Sequence, residues 1–145
     1  MKKVEVVIDM NVKPEKVINA FTDAEMLRGW WGVERLLIET RAGGVYVVAW
    51  SITERGFGYV SSGVVSKYES GEVIEIENFT YLNPERAILG PMKLIVRAKE
   101  KDGGSEVYLC QSDYQTGGDW DWYYKAVHEA WPSVAKILKD YLEKN

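Results

Sequence analysis

The chain carries a single cysteine in 145 residues, and a single histidine. Cys110 alone can form neither an intrachain disulfide nor a multi-cysteine zinc cluster. His128 shares a helix face with Asp121, but seven residues of separation is too far for a compact clamp and no third ligand stands near, so no metal is expected. Basic clusters are also missing. Eighteen Lys and Arg face 22 Asp and Glu, a net charge of −4 spread over both halves, which leaves nothing to neutralise a phosphate backbone. Nucleic acid is therefore not expected as a partner. No window approaches the roughly 18 apolar residues of a membrane span, so no membrane insertion is expected. Met1-Lys2-Lys3-Val4-Glu5 lacks the continuous apolar stretch of an export signal, which makes the cytoplasm the expected compartment. With four prolines, no Pro/Ser-rich linker, no repeat and no low-complexity run, one domain over residues 1–145 is expected.

What is present is an ordinary globular balance, 46% apolar and 28% charged. A chain of this size can bury about 68% of its extended surface, enough for a core without disulfides. Val4, Val6, Ile8 and Met10 alternate with Glu5, Val7, Asp9 and Asn11, a half-buried strand. Pro14 then opens a helix, and Thr22-Asp23-Ala24-Glu25 reads as a capping box for a second short helix ending near Gly29. From Val33 to Tyr114 the period becomes two. Glu34–Thr40, Val45–Ser51, Tyr59–Tyr68, Glu72–Thr80, Met92–Glu100 and Ser105–Tyr114 are strands joined mostly by glycine-bearing hairpin turns. With the first strand, about seven antiparallel strands result, one face wet.

A long helix closes the chain. Trp120, Tyr124, Val127, Trp131, Val134, Leu138 and Tyr141 recur at steps of four and three. Such a stripe must bury against the sheet's apolar face. It stays in phase across Pro132, which predicts a kink and not a break.

Nine tyrosines, six tryptophans and three phenylalanines are the most informative residues. Trp30 and Trp31 after the second helix, Tyr46 and Trp50 on a strand, and Trp120, Tyr124 and Trp131 on the long helix fall on inward positions, with Val127 among them. Periodicity alone reads them as packed core; a cavity wall is the other reading, since ligand pockets are mostly apolar and aromatic. Parity adds polar candidates. If Ile74 and Ile76 point in, so does Asn78; if Val107 and Leu109 point in, so do Gln111 and Asp113. Leu94 joins the same inward set. Cys110 shares the Tyr108/Ser112 face, expected to be outward. Arg28, at the end of the second helix, reads as a solvated cation. Gly56-Phe57-Gly58 has no helix after it and so reads as a turn, not a nucleotide-binding loop.

The order strand, two short helices, six hairpin-linked strands and a long helix is that of the helix-grip fold, an α+β architecture. Glu15-Lys16-Val17-Ile18-Asn19-Ala20-Phe21-Thr22-Asp23-Ala24-Glu25, Trp30-Trp31-Gly32 and Glu39-Thr40-Arg41-Ala42-Gly43-Gly44 resemble the N-terminal half of the Hsp90-ATPase-activator-like branch of the START/Bet v 1 superfamily. Gly103-Gly104-Ser105, Gly117-Gly118-Asp119-Trp120, and Trp131 with Leu138-Lys139-Asp140-Tyr141-Leu142, are similar to its C-terminal half. The resemblance implies a curved sheet gripping the long helix with a hydrophobic cavity between them, on the scale of roughly 300–1,000 Å³. It turns these inward positions from core toward cavity wall: Trp30, Trp31, Tyr46, Trp50, Ile76, Asn78, Leu94, Gln111, Asp113, Trp120, Tyr124, Val127 and Trp131.

Superfamily members bind lipids, sterols, hormones and polyketides, and some are cyclases or hydrolases. Binding of a small hydrophobic or amphipathic molecule, without cofactor and without a catalytic residue, is the first expectation. A cyclase or hydrolase using Asp113, Asn78 or Tyr124 as acid/base groups is the second, disfavoured because no His/carboxylate or close carboxylate pair falls in the cavity. A chaperone-related interaction module is the third. The eukaryotic activator pairs this type of domain with a second, Hsp90-binding one, and 145 residues hold the grip domain alone. Stimulation of Hsp90 by this chain by itself is therefore not expected. Monomer and homodimer are both compatible with the sequence.

Overall fold

A computed structural model of residues 2–144 begins with β1 (Lys3–Met10), followed by α1 (Pro14–Asn19) and α2 (Ala24–Trp31). Pro14 stands in the first turn of α1, where its missing N–H leaves nothing unsatisfied. The cap of α2 lies one residue later than Thr22. Asp23 is the N-cap and its carboxylate accepts the Met26 N–H at 2.9 Å. Thr22 is still held by the preceding turn, its hydroxyl donating to Asn19 O at 3.4 Å. The helix also runs past Gly29 and stops at Gly32, which takes the left-handed conformation (φ 69°) and returns its N–H to Leu27 O. That two-residue extension matters, because it puts Trp30 and Trp31 on the last turn.

Six strands follow: β2 (Arg35–Ile38), β3 (Val45–Trp50), β4 (Tyr59–Glu69), β5 (Val73–Leu82), β6 (Leu89–Lys101) and β7 (Gly104–Ser112). The seven strands form one antiparallel sheet in the order β1-β7-β6-β5-β4-β3-β2. Asp102 (φ 50°) and Gly103 (φ 83°) make the left-handed pair a two-residue hairpin between β6 and β7 requires. Ile74, Ile76, Leu94, Val96, Val107 and Leu109 face inward and are buried. Glu75 lies on the other face, within ion-pair distance of Lys93 and Arg97. Cys110 is on that outer face too, but is buried, packed in register between Glu5 of β1 and Ile95 of β6.

One strand breaks its own parity. Ile76 pairs with Leu94 and Phe79 with Met92, so Glu77 and Asn78 together oppose Lys93, a β-bulge in which Asn78 has φ 53°. The extra residue turns Asn78 out to solvent and Phe79 in. Gly63 on β4 lies against the bulge; a Cβ there would sit 2.5 Å from Ile76 Cγ2 and 2.9 Å from Glu77 O. The missing side chain is what lets β4 pass.

The last element, α3 (Asp119–Lys144), is continuous through Pro132 and packs across the sheet's inner face, against β1 and α2. Its buried seam is Tyr123, Trp131, Ala135, Leu138 and Leu142. Trp120, Tyr124 and Tyr141 of the expected stripe lie half-buried along the sides. Periodicity cannot separate Tyr123 from its aromatic neighbour Tyr124; a hydrogen bond from the sheet does (below). The helix end is tied down by Lys16 Nζ donating to Leu142 O at 3.1 Å and by the Asn11 N–H donating to Glu143 at 2.7 Å. Among the described residues no helix is long and apolar enough to cross a membrane. The architecture is the helix-grip fold.

Candidate functional site

Between α3 and the inner face of the sheet lies a cleft of about 260 Å³. Trp31 enters it from the end of α2, Trp50 from β3, Tyr59 and Ser61 from β4, Phe79 and Tyr81 from β5, and Gln111 from β7. Tyr123, Val127, Ala130, Trp131 and Val134 of α3 form the opposite wall. The volume falls below the expected range because the rings fold onto one another. Trp31 stacks on Trp30 (4.9 Å between centroids, 9° between planes) and meets Trp50 edge-on at 5.2 Å and Trp131 at 5.8 Å. Trp50 in turn stacks on Tyr59 at 5.3 Å, and Tyr81 packs on Tyr123 at 4.7 Å.

Hydrogen bonds fix these rings. The Trp50 indole donates to Trp31 O at 3.0 Å, so the end of α2 and the end of β3 position each other. Gln111, only 2% exposed, joins sheet to helix: Nε2 donates to Tyr123 Oη at 2.9 Å, and Oε1 accepts the Trp131 indole N–H at 2.8 Å. Burial pushes the Tyr123 hydroxyl up to about 12, against the lowering effect of the Gln111 bond, so it keeps its proton throughout the physiological range. No lining residue carries a formal charge.

Of the expected residues, Trp31, Trp50, Gln111, Val127 and Trp131 stand on this wall. The others do not. Trp30 is buried behind Trp31, its indole donating to Ala20 O at 2.8 Å. Tyr46 is fully buried, its hydroxyl donating to Phe21 O at 2.6 Å, and burial raises its pKa far above the ordinary tyrosine value. Ile76 and Leu94 face each other in the core beneath the cleft. Asn78 is turned out by the bulge. Asp113 is exposed with φ 72°, because β7 ends at Ser112 and the chain swings away before it. Trp120 packs half-buried at the start of α3, outside the cleft. Tyr124 looks away from it, onto Tyr114 at 5.1 Å and His128 at 5.9 Å, with the Lys2 ammonium over its ring at 5.0 Å. Asp113, Asn78 and Tyr124, the acid/base candidates, thus all lie off the cleft.

Sequence reasoning missed Tyr59, Ser61, Phe79, Tyr81, Tyr123 and Ala130, and put Val134 on the inward stripe without assigning it to the wall. Tyr59 pairs with Trp50, and Ser61 with both Val48 and Tyr81, so register alone would have placed three of them on the inward face. Phe79 needed the bulge, and Tyr123 needed Gln111.

The family described as activator of Hsp90 ATPase homolog 1-like protein matches residues 11–143. A comparison with curated protein sequences found no match. Among solved structures, a Mesorhizobium loti protein superposes with a TM-score of 0.79 at 16% identity, covering 99% of this chain and 98% of that one. A Chromobacterium violaceum protein gives 0.74 at 19% identity, covering 97% and 96%. The Aha1 dimer from Colwellia psychrerythraea gives 0.74 at 17% identity, covering 99% and 97%. At these identities the likeness is one of fold. The family match spans nearly the whole chain, and the chain belongs to the activator of Hsp90 ATPase homolog 1-like family, with a helix-grip fold of the generally ligand-binding kind.

Proposed function

We propose that the chain binds a small hydrophobic molecule in the cleft between α3 and the sheet, with Trp31, Trp50, Gln111, Val127 and Trp131 among its contacts. The observation that carries this reading is an aromatic, uncharged wall whose rings are already held in place by hydrogen bonds. Rings fixed before binding lose little conformational freedom when a ligand arrives, which favours affinity. A volume of about 260 Å³ corresponds to about nine waters of liquid at roughly 30 Å³ each. That suits a one- or two-ring molecule and not a sterol. Binding is favoured over catalysis because the acid/base candidates lie off the cleft.

Three tryptophans line the site, so intrinsic emission is a direct reporter. Titration with one- and two-ring aromatics, fatty acids and sterols should change emission saturably for the ring compounds and least for the sterols. Absence of a saturable change with every class would remove the reading.

A further inference from the structure

Most polar groups of the cleft already have one side engaged. Its single amide, Gln111, spends its two N–H donors on Tyr123 Oη and Met92 Sδ and accepts the Trp131 indole N–H. The Tyr123 hydroxyl oxygen therefore accepts a bond while its proton has no acceptor among the described residues. Tyr81 is in the same state, its oxygen accepting from Asn83 Nδ2 at 3.1 Å. Ser61 is the most telling. It lies opposite Val48 and Tyr81 on the inward face, is 6% exposed, and its hydroxyl bonds to no described residue. Among the described residues Tyr114 Oη is the only side-chain polar atom both sealed off and unpartnered, so the Ser61 oxygen keeps its contact with the open space of the cleft. A nearly buried hydroxyl without a partner has hydrogen-bonding capacity to give. A carboxylate here would lose its water and find no cation.

We infer that the cleft selects a one- or two-ring aromatic molecule carrying a neutral, carbonyl-type hydrogen-bond acceptor, with Ser61 as the principal donor and the Tyr81 and Tyr123 hydroxyls on the same lining. This rests on the reading of the cleft as a ligand site. It assigns the polar end of the ligand and rejects both bare hydrocarbons and aromatic acids.

The test uses three probes of one shape: 2-acetylnaphthalene, 2-ethylnaphthalene and 2-naphthoate, titrated by protein NMR into the wild-type chain and into Ser61→Ala. That variant deletes an unpaired hydroxyl and should keep its thermal unfolding temperature. The ketone should bind roughly threefold to tenfold tighter than the hydrocarbon, the range of one neutral hydrogen bond, and naphthoate should bind weakest. In Ser61→Ala the ketone's advantage should shrink to less than about twofold. Equal affinity for ketone and hydrocarbon, tightest binding of naphthoate, or an undiminished ketone preference in Ser61→Ala would each overturn the inference while leaving the cleft a ligand site. If none of the three probes binds, the ligand-site reading falls and takes this inference with it.

Discussion

The indole N–H of Trp131 on α3 donates to the side-chain carbonyl of Gln111 on β7 at 2.8 Å, with both residues buried. The same amide reaches Tyr123 two turns earlier on the helix, so one side chain sets both the rotation and the height of α3 over the sheet.

Gln111→Leu keeps the volume of the side chain and strands the Trp131 indole and the Tyr123 hydroxyl. An unsatisfied buried polar group costs about 1–3 kcal/mol, so a loss of roughly 2–4 kcal/mol in urea unfolding is expected for the two together. A loss below about 0.5 kcal/mol, the level of an ordinary surface change, would mean that this bond pair does not anchor the helix.

Trp50 and Tyr46 occupy one face of β3, four residues apart, and should behave oppositely. Trp50→Ala removes a half-buried ring bordering open space and should cost roughly 1–2 kcal/mol, against about 3–5 for a close-packed tryptophan. Probe affinity in the cleft should fall with it. Tyr46→Phe leaves the Phe21 carbonyl unpaired in the core and should cost about 1–2 kcal/mol with probe affinity unchanged. Denaturant unfolding and probe titration on both variants decide the matter; a reversed pattern would mean that Trp50 is core and Tyr46 is wall.

Gly63→Ala should be destabilising although alanine suits a strand no worse than glycine. Its Cβ would press on Ile76 and on the Glu77 carbonyl at the bulge, and overpacking of this kind costs about 1–3 kcal/mol. Because the bulge presents Phe79 to the cleft, the NMR signals of the cleft tryptophan side chains should shift as well. Unchanged stability and unchanged spectra would show that the bulge adapts freely.

Acid should loosen the end of α3. The Asn11 N–H, and after it the Lys139 ammonium, hold the Glu143 carboxyl below its ordinary range. The folded chain thus binds this proton less readily than the unfolded chain. The stabilising contribution is complete above the ordinary glutamate value of about 4.3 and is lost as pH falls through the lower, folded value. Tm plotted against pH should therefore drop less steeply in Glu143→Gln than in the wild type over about pH 5 to 3. Parallel curves would show that the tie does not feel the charge.

Element order and type were legible from local pattern. The alternation of β1, the wet face bearing Glu75, Lys93 and Arg97, the glycine turns and the apolar repeat of α3 each reflect a period set within one segment. Gln111 was legible as well, since parity from Val107 and Leu109 runs unbroken to it. Asp113, two residues on, was not, because parity carries no information about where a strand stops pairing. Asn78 failed for a related reason: one inserted residue in β5 reverses every side chain after it, and no composition signal marks the insertion.

By itself the sequence determined that seven strands and a long amphipathic helix would bury one face each, because burial of an alternating or helical apolar stripe is dictated by backbone periodicity alone. Which aromatic rings became core and which became cleft wall was decided only in three dimensions. Tyr46 and Trp50 share a face, as Tyr123 and Tyr124 share a helical turn, and their fates separate with the lateral position of α2 and α3 over the sheet. That position is set by long-range hydrogen bonds from Gln111, Tyr46 and Trp50 to partners 12 to 25 residues away, a distance over which no sequence period reaches.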